Sequence, residues 1–459
     1  MTPRHVAVID IGKTNAKLAL VDTSDLSEIA VVTRPNAVVE GPPYPHFDVD
    51  TIWAFLVQAL GAFHEEHGID AISVTTHGAS GALIAADGTL AAPILDYEHT
   101  GPHAVADAYD ALRPAFEETG SPRLPMGLNL GAQIHWQFQQ DPTLFDRTAS
   151  IVTYPQYWGH RLTGVLACDV SSLGCHTDLW SPFEERYSAL VDRLGIRHKM
   201  AQSRKSADIL GLVRPEVAER TGLSPDTPVH CGVHDSNASL LPHVMQNDPP
   251  FSVISTGTWV IAMTVGGPTD ALDPSRDALV NVNALGAPVP SARFMGGREF
   301  EIIRDGHSAV FDAVALGTVA NQGPLLLPAV VPESGPFQGR IHRWIGPEPE
   351  QGTPERTAAL SFYLAMMTAE CLSLTSHRGT IIVEGPFAAN AGYCAMLSAA
   401  TGCPVEAAVS VTGTSQGAAL LAIGHGATPT RPKAKRYIPE DCAKYAAYAN
   451  RWREAVLRP

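Results

Sequence analysis

The chain opens on a run of apolar residues, Val6 to Ile9, that ends in Asp10. A polar turn follows through Gly12, Lys13, Thr14 and Asn15, and apolar positions resume from Ala16 to Val21. Two β-rich runs around a short polar turn predict a hairpin. The same pattern returns at 251–265, where Phe251 to Ser255 leads through Thr256, Gly257 and Thr258 into a second apolar run. Setting Gly12 on Gly257, an offset of 245 residues, brings Val8 and Ile9 onto Val253 and Ile254 and leaves Thr14 one residue from Thr258. Two similar domains are expected, spanning 1–246 and 247–459, each opening on such a hairpin.

The remaining periodicity is mixed. Ile52, Phe55, Leu56, Ala59, Leu60 and Phe63 share one face of a helix predicted over 51–67. A strand over 71–75 runs into His77-Gly78, and Asp87-Gly88 reads as a turn between two short strands. Further on, a strand over 380–384, a helix over 391–401 and a strand over 404–408 are expected. A small-residue helix lies within 413–424, and the tail from 439 reads as helical. Residues 335–354 are rich in Gly and Pro and read as a long loop. This is an α/β pattern.

Composition narrows the class. Thirty-two Lys and Arg against 47 Asp and Glu give a net charge of −15, which argues against a nucleic-acid footprint. The apolar fraction of 45% and charged fraction of 17% are those of a chain with an ordinary buried core. Seven cysteines, an odd number without CxxC spacing, fit free thiols better than a disulfide framework. The N-terminal residues lack a signal-peptide layout, and the apolar runs are broken by polar residues. A cytoplasmic protein, off the membrane, is expected.

Three turns could carry chemistry. In Asp10-Ile-Gly12-Lys13-Thr14-Asn15-Ala-Lys17, a carboxylate ends a strand beside a Gly turn with free amides, hydroxyl and ammonium donors. That suits a nucleoside triphosphate with its metal ion. Gly-Lys-Thr is not a P-loop here, because Ala7 stands where that motif needs its first Gly and the following run is β-like. Ser255-Thr256-Gly257-Thr258 is a second anion turn. The third is Gly232-Val-His234-Asp235, whose acid could take a proton from a substrate hydroxyl attacking a γ-phosphate. His230, Cys231 and His234 match no standard metal spacing. Thr76-His77-Gly78 and the polar cluster from Leu95 to Gly101 could form walls of a sugar pocket. No GxGxxG is present, so a dinucleotide fingerprint is unsupported.

In this order the motifs resemble the FGGY carbohydrate kinases over nearly the whole chain. Asp10 to Lys17 resembles the family's first phosphate motif, Ser255 to Trp259 its second, and Glu384-Gly385 with Asn390 its adenosine motif. That last motif departs from the usual Gly-rich triplet, reading Glu384-Gly385-Pro386-Phe387. Gly413 to Ala418 resembles the second connecting helix. The resemblance implies two ribonuclease-H-like domains of the actin and hexokinase ATPase type, each with a mixed five-stranded sheet, flanking a deep catalytic cleft. It implies ATP and Mg²⁺, with Asp235 as the catalytic base and Asp10 holding the metal through water. Gly12, Lys13, Thr14, Asn15, Lys17, Thr256, Gly257, Thr258, Gly385, Asn390 and Gln416 would hold ATP. His77, Gly78, Glu98, His234 and Asp235 would hold the sugar. Trp259, Asn281, Asn283 and the Met295-Gly-Gly-Arg298 stretch are most similar to rhamnulose and fuculose kinases, which act on 6-deoxy ketohexoses. His77-Gly78 resembles xylulose kinases, so a pentulose is the alternative. A non-catalytic sugar sensor on the same scaffold is the other class; such regulators usually add a DNA-binding helix-turn-helix, and a chain opening on the phosphate hairpin is expected to be the enzyme. The expected partner is a small sugar, with room for a homodimer.

Overall fold

Strand β1, His5–Ile11, is apolar on both faces, and that decides what surrounds it. Ala7, Ile9 and Ile11 join one buried cluster, while Val6 and Val8 join another. A strand buried on both sides must be covered by elements on both sides. On the first side lies helix α1, Val49–His67, capped by the Asp48 carboxylate on the Thr51 N–H (3.2 Å) and ended at Gly68 with φ 77°. Its buried face includes Trp53 and Val57 and is wider than the stripe read from sequence. On the other side lies the helix Thr414–Leu420, whose Ala418, Ala419 and Leu420 share the cluster with Val6, Val8 and Leu241.

The structure is a computed structural model and describes residues 3–308, 312–408, 413–424 and 434–458. The chain divides into two units. The first holds Met1–Gln246, Val280–Pro288 and Thr412–Thr430; the second holds Asn247–Leu279, Val289–Val411 and Arg431–Pro459. The second unit is therefore not the unbroken stretch 247–459. Two later segments fold into the first unit because small residues admit them. A Cβ on Gly417 would stand 1.8 Å from the Ala238 carbonyl oxygen, and one on Gly174 would stand 2.2 Å from a Val282 methyl.

In the first unit, β1 pairs antiparallel with β2 (Asn15–Asp22), which pairs antiparallel with β3 (Ser27–Pro35). On its other edge β1 is parallel to β4, Ala71–Thr76. The sheet continues through β5 (Ile209–Leu212) and β6 (Pro228–His230), in the order β5-β6-β4-β1-β2-β3. The two-residue β7, Val233–His234, also runs parallel to β4 and leads into helix α2, Asp235–Gln246.

The second unit repeats the core of this plan. Strand β8 (Phe251–Thr256) pairs antiparallel with β9 (Val260–Val265) and parallel with β12 (Thr380–Glu384). With β10 (Ala278–Val282), β11 (Pro288–Phe294), β13 (Val405–Ala407) and β14 (Lys435–Tyr437), the order is β10-β11-β9-β8-β12-β13-β14. Each sheet thus has seven strands and not five; short edge strands such as β7 and β14 carry too little periodicity to be seen in sequence. The 21-residue helix Pro354–Leu374 is long and apolar enough to cross a membrane, but most of it is buried against this sheet.

Candidate active site

Alternation along β1 places Asp10 on the same face as Val6 and Val8, the face covered by the helix Thr414–Leu420. The Thr414 hydroxyl accordingly donates to Asp10 Oδ2. Asp10 stands opposite Lys17 in the β1–β2 ladder, and Lys17 Nζ lies 3.5 Å from the same oxygen. Burial raises the Asp10 pKa, Thr414 and Lys17 oppose the rise, and the nearby Asp235 charge adds to it. The turn itself is closed by the Gly12 N–H on the Asn15 carbonyl (2.9 Å). Asn36 staples it, donating from Nδ2 to the Gly12 carbonyl and from its backbone N–H to Thr14, both at 2.8 Å. Thr14 and Asn15 are exposed at the tip, with their donors open to a ligand.

Asp235 is reached along the neighbouring strands. Asp10 pairs with Thr75 on β4, and His234 pairs with Thr76, so Asp10 and Asp235 stand at the carboxyl ends of two parallel strands that flank β4. Open α/β sheets bind ligands there. His234 Nε2 lies 3.1 Å from Asp235 Oδ1, and the Ser236 N–H donates to that same oxygen at 2.6 Å. Asp235 Oδ2 has no hydrogen-bond partner among the described residues, and the side chain is 30% exposed. Burial would raise the Asp235 pKa, but His234 and the Ser236 N–H outweigh it and hold the group below the ordinary carboxylate value. It stands ionised at neutral pH with one oxygen engaged and one available. No cluster of three or more metal-ligating side chains occurs among the described residues.

His77 follows β4. Its Nδ1 meets the Gly78 carbonyl at 2.8 Å, and its ring sits among Phe47, Tyr97 and Tyr154 at centroid distances of 5.0–5.2 Å. Burial drives its pKa down to about 4, so it is neutral. Lys13, expected on the phosphates, is turned to this side. It bonds Asp96 Oδ1, lies 3.2 Å from Glu98 Oε2 and sits over the Tyr97 ring at 4.9 Å. The reason is local: Asp96 is buried and needs a cation, whereas Glu98 is half-exposed. His234, expected on the sugar, has its ring nitrogens turned inward, Nε2 to Asp235 and to Cys175 Sγ (3.5 Å) and Nδ1 to Asn237 Nδ2 (3.3 Å).

The second unit holds a cavity of about 490 Å³ walled by Gly257, Thr258, Gly297, Phe300, Pro386 and Phe387, with Asn390 at its edge. The Phe300 and Phe387 rings are 6.0 Å apart. Glycine is required at 385, where φ is 80° and a Cβ would stand 2.1 Å from the Thr256 carbonyl oxygen. Gly297 meets the turn as closely, since a Cβ there would stand 2.0 Å from the Gly257 oxygen. Two expected ligand side chains are spent on structure. The Thr256 hydroxyl donates to the Glu384 carbonyl and accepts from the Phe387 N–H (3.1 Å). Asn390 caps the helix Ala391–Thr401 and donates to Ser361 at 3.0 Å. Gln416 lies in the first unit and is absent from this cavity wall.

Sequence reading missed Asn36, Cys175 and Phe300. Asp96 and Thr414 lay within stretches it named, the polar cluster from Leu95 to Gly101 and the helix start from Gly413 to Ala418, but neither was singled out.

Residues 5–242 match the N-terminal domain of the FGGY family of carbohydrate kinases, and residues 248–432 match the FGGY carbohydrate kinase C-terminal domain. The chain belongs to the FGGY family. A carbohydrate kinase from Novosphingobium aromaticivorans has a solved structure that is 36% identical, with a TM-score of 0.90 over 100% of this chain and 99% of that one. The L-fuculokinase of Escherichia coli (strain K12) is 26% identical over 285 residues, 59% of this chain and 58% of that protein. A probable L-xylulose kinase of Pasteurella multocida is 25% identical over 284 residues, 58% of this chain and 56% of that protein. The chain thus aligns with less than two thirds of these curated relatives. The FGGY fold, two units of the actin and hexokinase type, is the architecture described above.

Proposed function

We propose that this FGGY protein is an ATP-dependent kinase of a ketose hydroxyl, acting in the cytoplasm, with a 6-deoxy ketohexose such as L-fuculose or L-rhamnulose as substrate. The observation that carries the reading is Asp235, ionised, anchored through Oδ1 and open at Oδ2 beside Asp10. Oδ2 takes the proton of the attacking hydroxyl as that oxygen bonds to the γ-phosphorus and ADP leaves. The exposed turn at Thr14 and Asn15 offers backbone N–H groups to phosphate oxygens, and the second turn, closed by the Gly257 N–H on the Trp259 carbonyl, offers that of Thr258. The cavity lined by Phe300 and Phe387 takes the nucleobase.

Mg²⁺ fits the residues present. Asp10 and Asp235 are two acids close enough for one charge to raise the other's pKa, and Asp10 Oδ1 has no hydrogen-bond partner among the described residues. The ion would be held by Asp10 through water and would neutralise charge on the β- and γ-phosphates.

A 6-deoxy sugar ends in a methyl group and needs an apolar wall. Tyr97, half-buried against His77, offers one, backed by the buried Phe47 and Tyr154 rings, and the Escherichia coli relative is named for L-fuculose. A pentulose is the second reading, favoured by the charged Lys13–Asp96–Glu98 group on the same side, which suits a terminal hydroxyl. ADP release measured at one ATP concentration with L-fuculose, L-rhamnulose, D-xylulose, L-xylulose, L-ribulose and glycerol tests both. One of the 6-deoxy ketoses is expected to have the highest kcat/KM. A tenfold advantage for a pentulose or glycerol, about 1.4 kcal/mol of transition-state binding, would transfer the substrate class; no turnover on any sugar would leave a sensor and not a kinase.

A further inference from the structure

Asp235 is flanked by buried side chains that bond to one another and to the His234 backbone beside it. The His234 backbone N–H is fixed by Ser171 Oγ at 3.1 Å, and Ser171 Oγ donates to Asp169 at 2.5 Å. Asp169 is fully buried and also accepts from the Ser172 N–H (2.8 Å), Ser172 Oγ (2.9 Å) and Ser206 Oγ (2.6 Å). The start of α2 is therefore held rigidly. The His234 side chain is buried, and its nitrogens meet Asp235, Cys175 and Asn237. Among the described residues, the hydrogen bonds to the Asp235 side chain fall on Oδ1. A carboxylate anchored at one oxygen cannot exchange its two oxygens by rotation without breaking those bonds.

Gly78 explains how the ring and the thiol fit. A Cβ there would stand 2.7 Å from Cys175 Sγ and 2.9 Å from His234 Nε2, closer than real Cβ atoms come. No positive φ requires glycine at this position; space does.

Resting on the reading of Asp235 as the base, we infer that Gly78, Cys175 and His234 form a frame that positions Asp235, with His234 holding Oδ1 so that Oδ2 faces the sugar hydroxyl. They are positioning residues. Gly78 serves by leaving room, and His234 is no sugar ligand.

The test uses the full chain, the best sugar of the panel and separate kcat, KM and melting measurements. His234→Phe is expected to lower kcat about tenfold or more, with KM for sugar and for ATP within about threefold of wild type. His234→Gln, which returns an N–H donor to the same side, should recover most of that loss. Gly78→Ala should lower kcat similarly, and adding Cys175→Ala should recover part of it by removing the nearest clashing atom. An unchanged kcat with a raised sugar KM in His234→Phe would make His234 a sugar ligand and overturn the frame. Equal losses in His234→Phe and His234→Gln, tracking a fall in melting temperature, would overturn it as mere structure. Asp235→Asn is run alongside. If that variant turns over normally the base reading itself fails and takes the frame with it; if it is inactive while His234→Phe is normal, the base stands and the frame alone falls.

Discussion

The turns at Gly12 and Gly257 are one backbone device used twice. Each joins two antiparallel strands, and each first strand has a parallel neighbour on its other edge. They differ at the next level. The first turn closes between Ile11 and Ala16, the second between Thr256 and Val260, one residue sooner. The equivalent ladder positions therefore hold Asp10 opposite Lys17 in the first unit and Ser255 opposite Ile261 in the second. The first unit carries the charges, the proposed base and the aromatic cluster around His77. The second carries an apolar slot and a hydroxyl, Thr256, consumed within its own fold. On the proposed function, a repeated scaffold is divided into a chemical half and a holding half.

Asp235→Asn probes that division most strongly. It keeps shape and removes the proton acceptor, so kcat should fall by about 10²–10⁴-fold with melting temperature and ATP affinity near wild type. A variant keeping half its turnover at saturating substrate would place the chemistry elsewhere. Because the Asp235 pKa is depressed and the Asp10 pKa raised, a kcat–pH profile should fall first as Asp10 protonates, with the loss due to Asp235 following only in stronger acid than the ordinary carboxylate range.

The holding half has a buried acid too, but one without a cation. Glu299 is fully buried, accepts from Tyr363 Oη (2.9 Å) and the Val331 N–H (3.2 Å), and burial pushes its pKa up to about 7. The folded state holds this proton more tightly than the unfolded chain. Stability is thus full below about pH 4 and declines as pH rises through about 7. Glu299→Gln should gain on wild type between pH 5 and pH 8 by on the order of 2–3 kcal/mol. Denaturant melts at the two pH values measure it, and an equal difference at both would mean Glu299 is ionised in the fold.

Gly385→Ala should destabilise the protein by about 1–3 kcal/mol and raise KM for ATP while leaving KM for sugar alone, since the glycine lies against the Thr256 backbone of the second turn. A selective effect on sugar would blur the two halves. The smallest effect is expected from Asp96→Asn, a rise of a few-fold in sugar KM through a loosened Lys13. If ATP KM rises instead, Lys13 serves phosphate after all.

Much of this was visible in the chain alone, because hairpins and amphipathic helices announce themselves over short spans. The two turns, α1 and the strand before His77 are local patterns of period 2 or 3.6. Asp10 was visible as a carboxylate ending a strand before a glycine turn, and Asp235 through its place before the second hairpin and the resemblance of Gly232-Val-His234-Asp235 to the family's motif. What was not visible depended on distant residues meeting. Lys13 is four residues from Lys17, yet the two part company because Asp96, far along the chain, is buried and needs a cation. Thr256 resembles a phosphate ligand until Glu384 arrives beside it. His234 resembles a sugar ligand until Cys175 and Asn237 take its nitrogens.

The approach of Gly417 to Ala238 has a consequence for synthesis. The face of the first sheet at Val6 and Val8 packs with Leu241 of α2 and is covered by Ala418, Ala419 and Leu420, and Asp10 meets a hydroxyl 404 residues further along the chain. A ribosome that has released residues 1–246 has made every strand of that sheet but not its cover. During the remaining half of translation the nascent first unit presents an open apolar face, one that chaperones or neighbouring chains can bind. A fragment ending at Gln246 inherits the same exposure permanently and should aggregate where the whole chain does not.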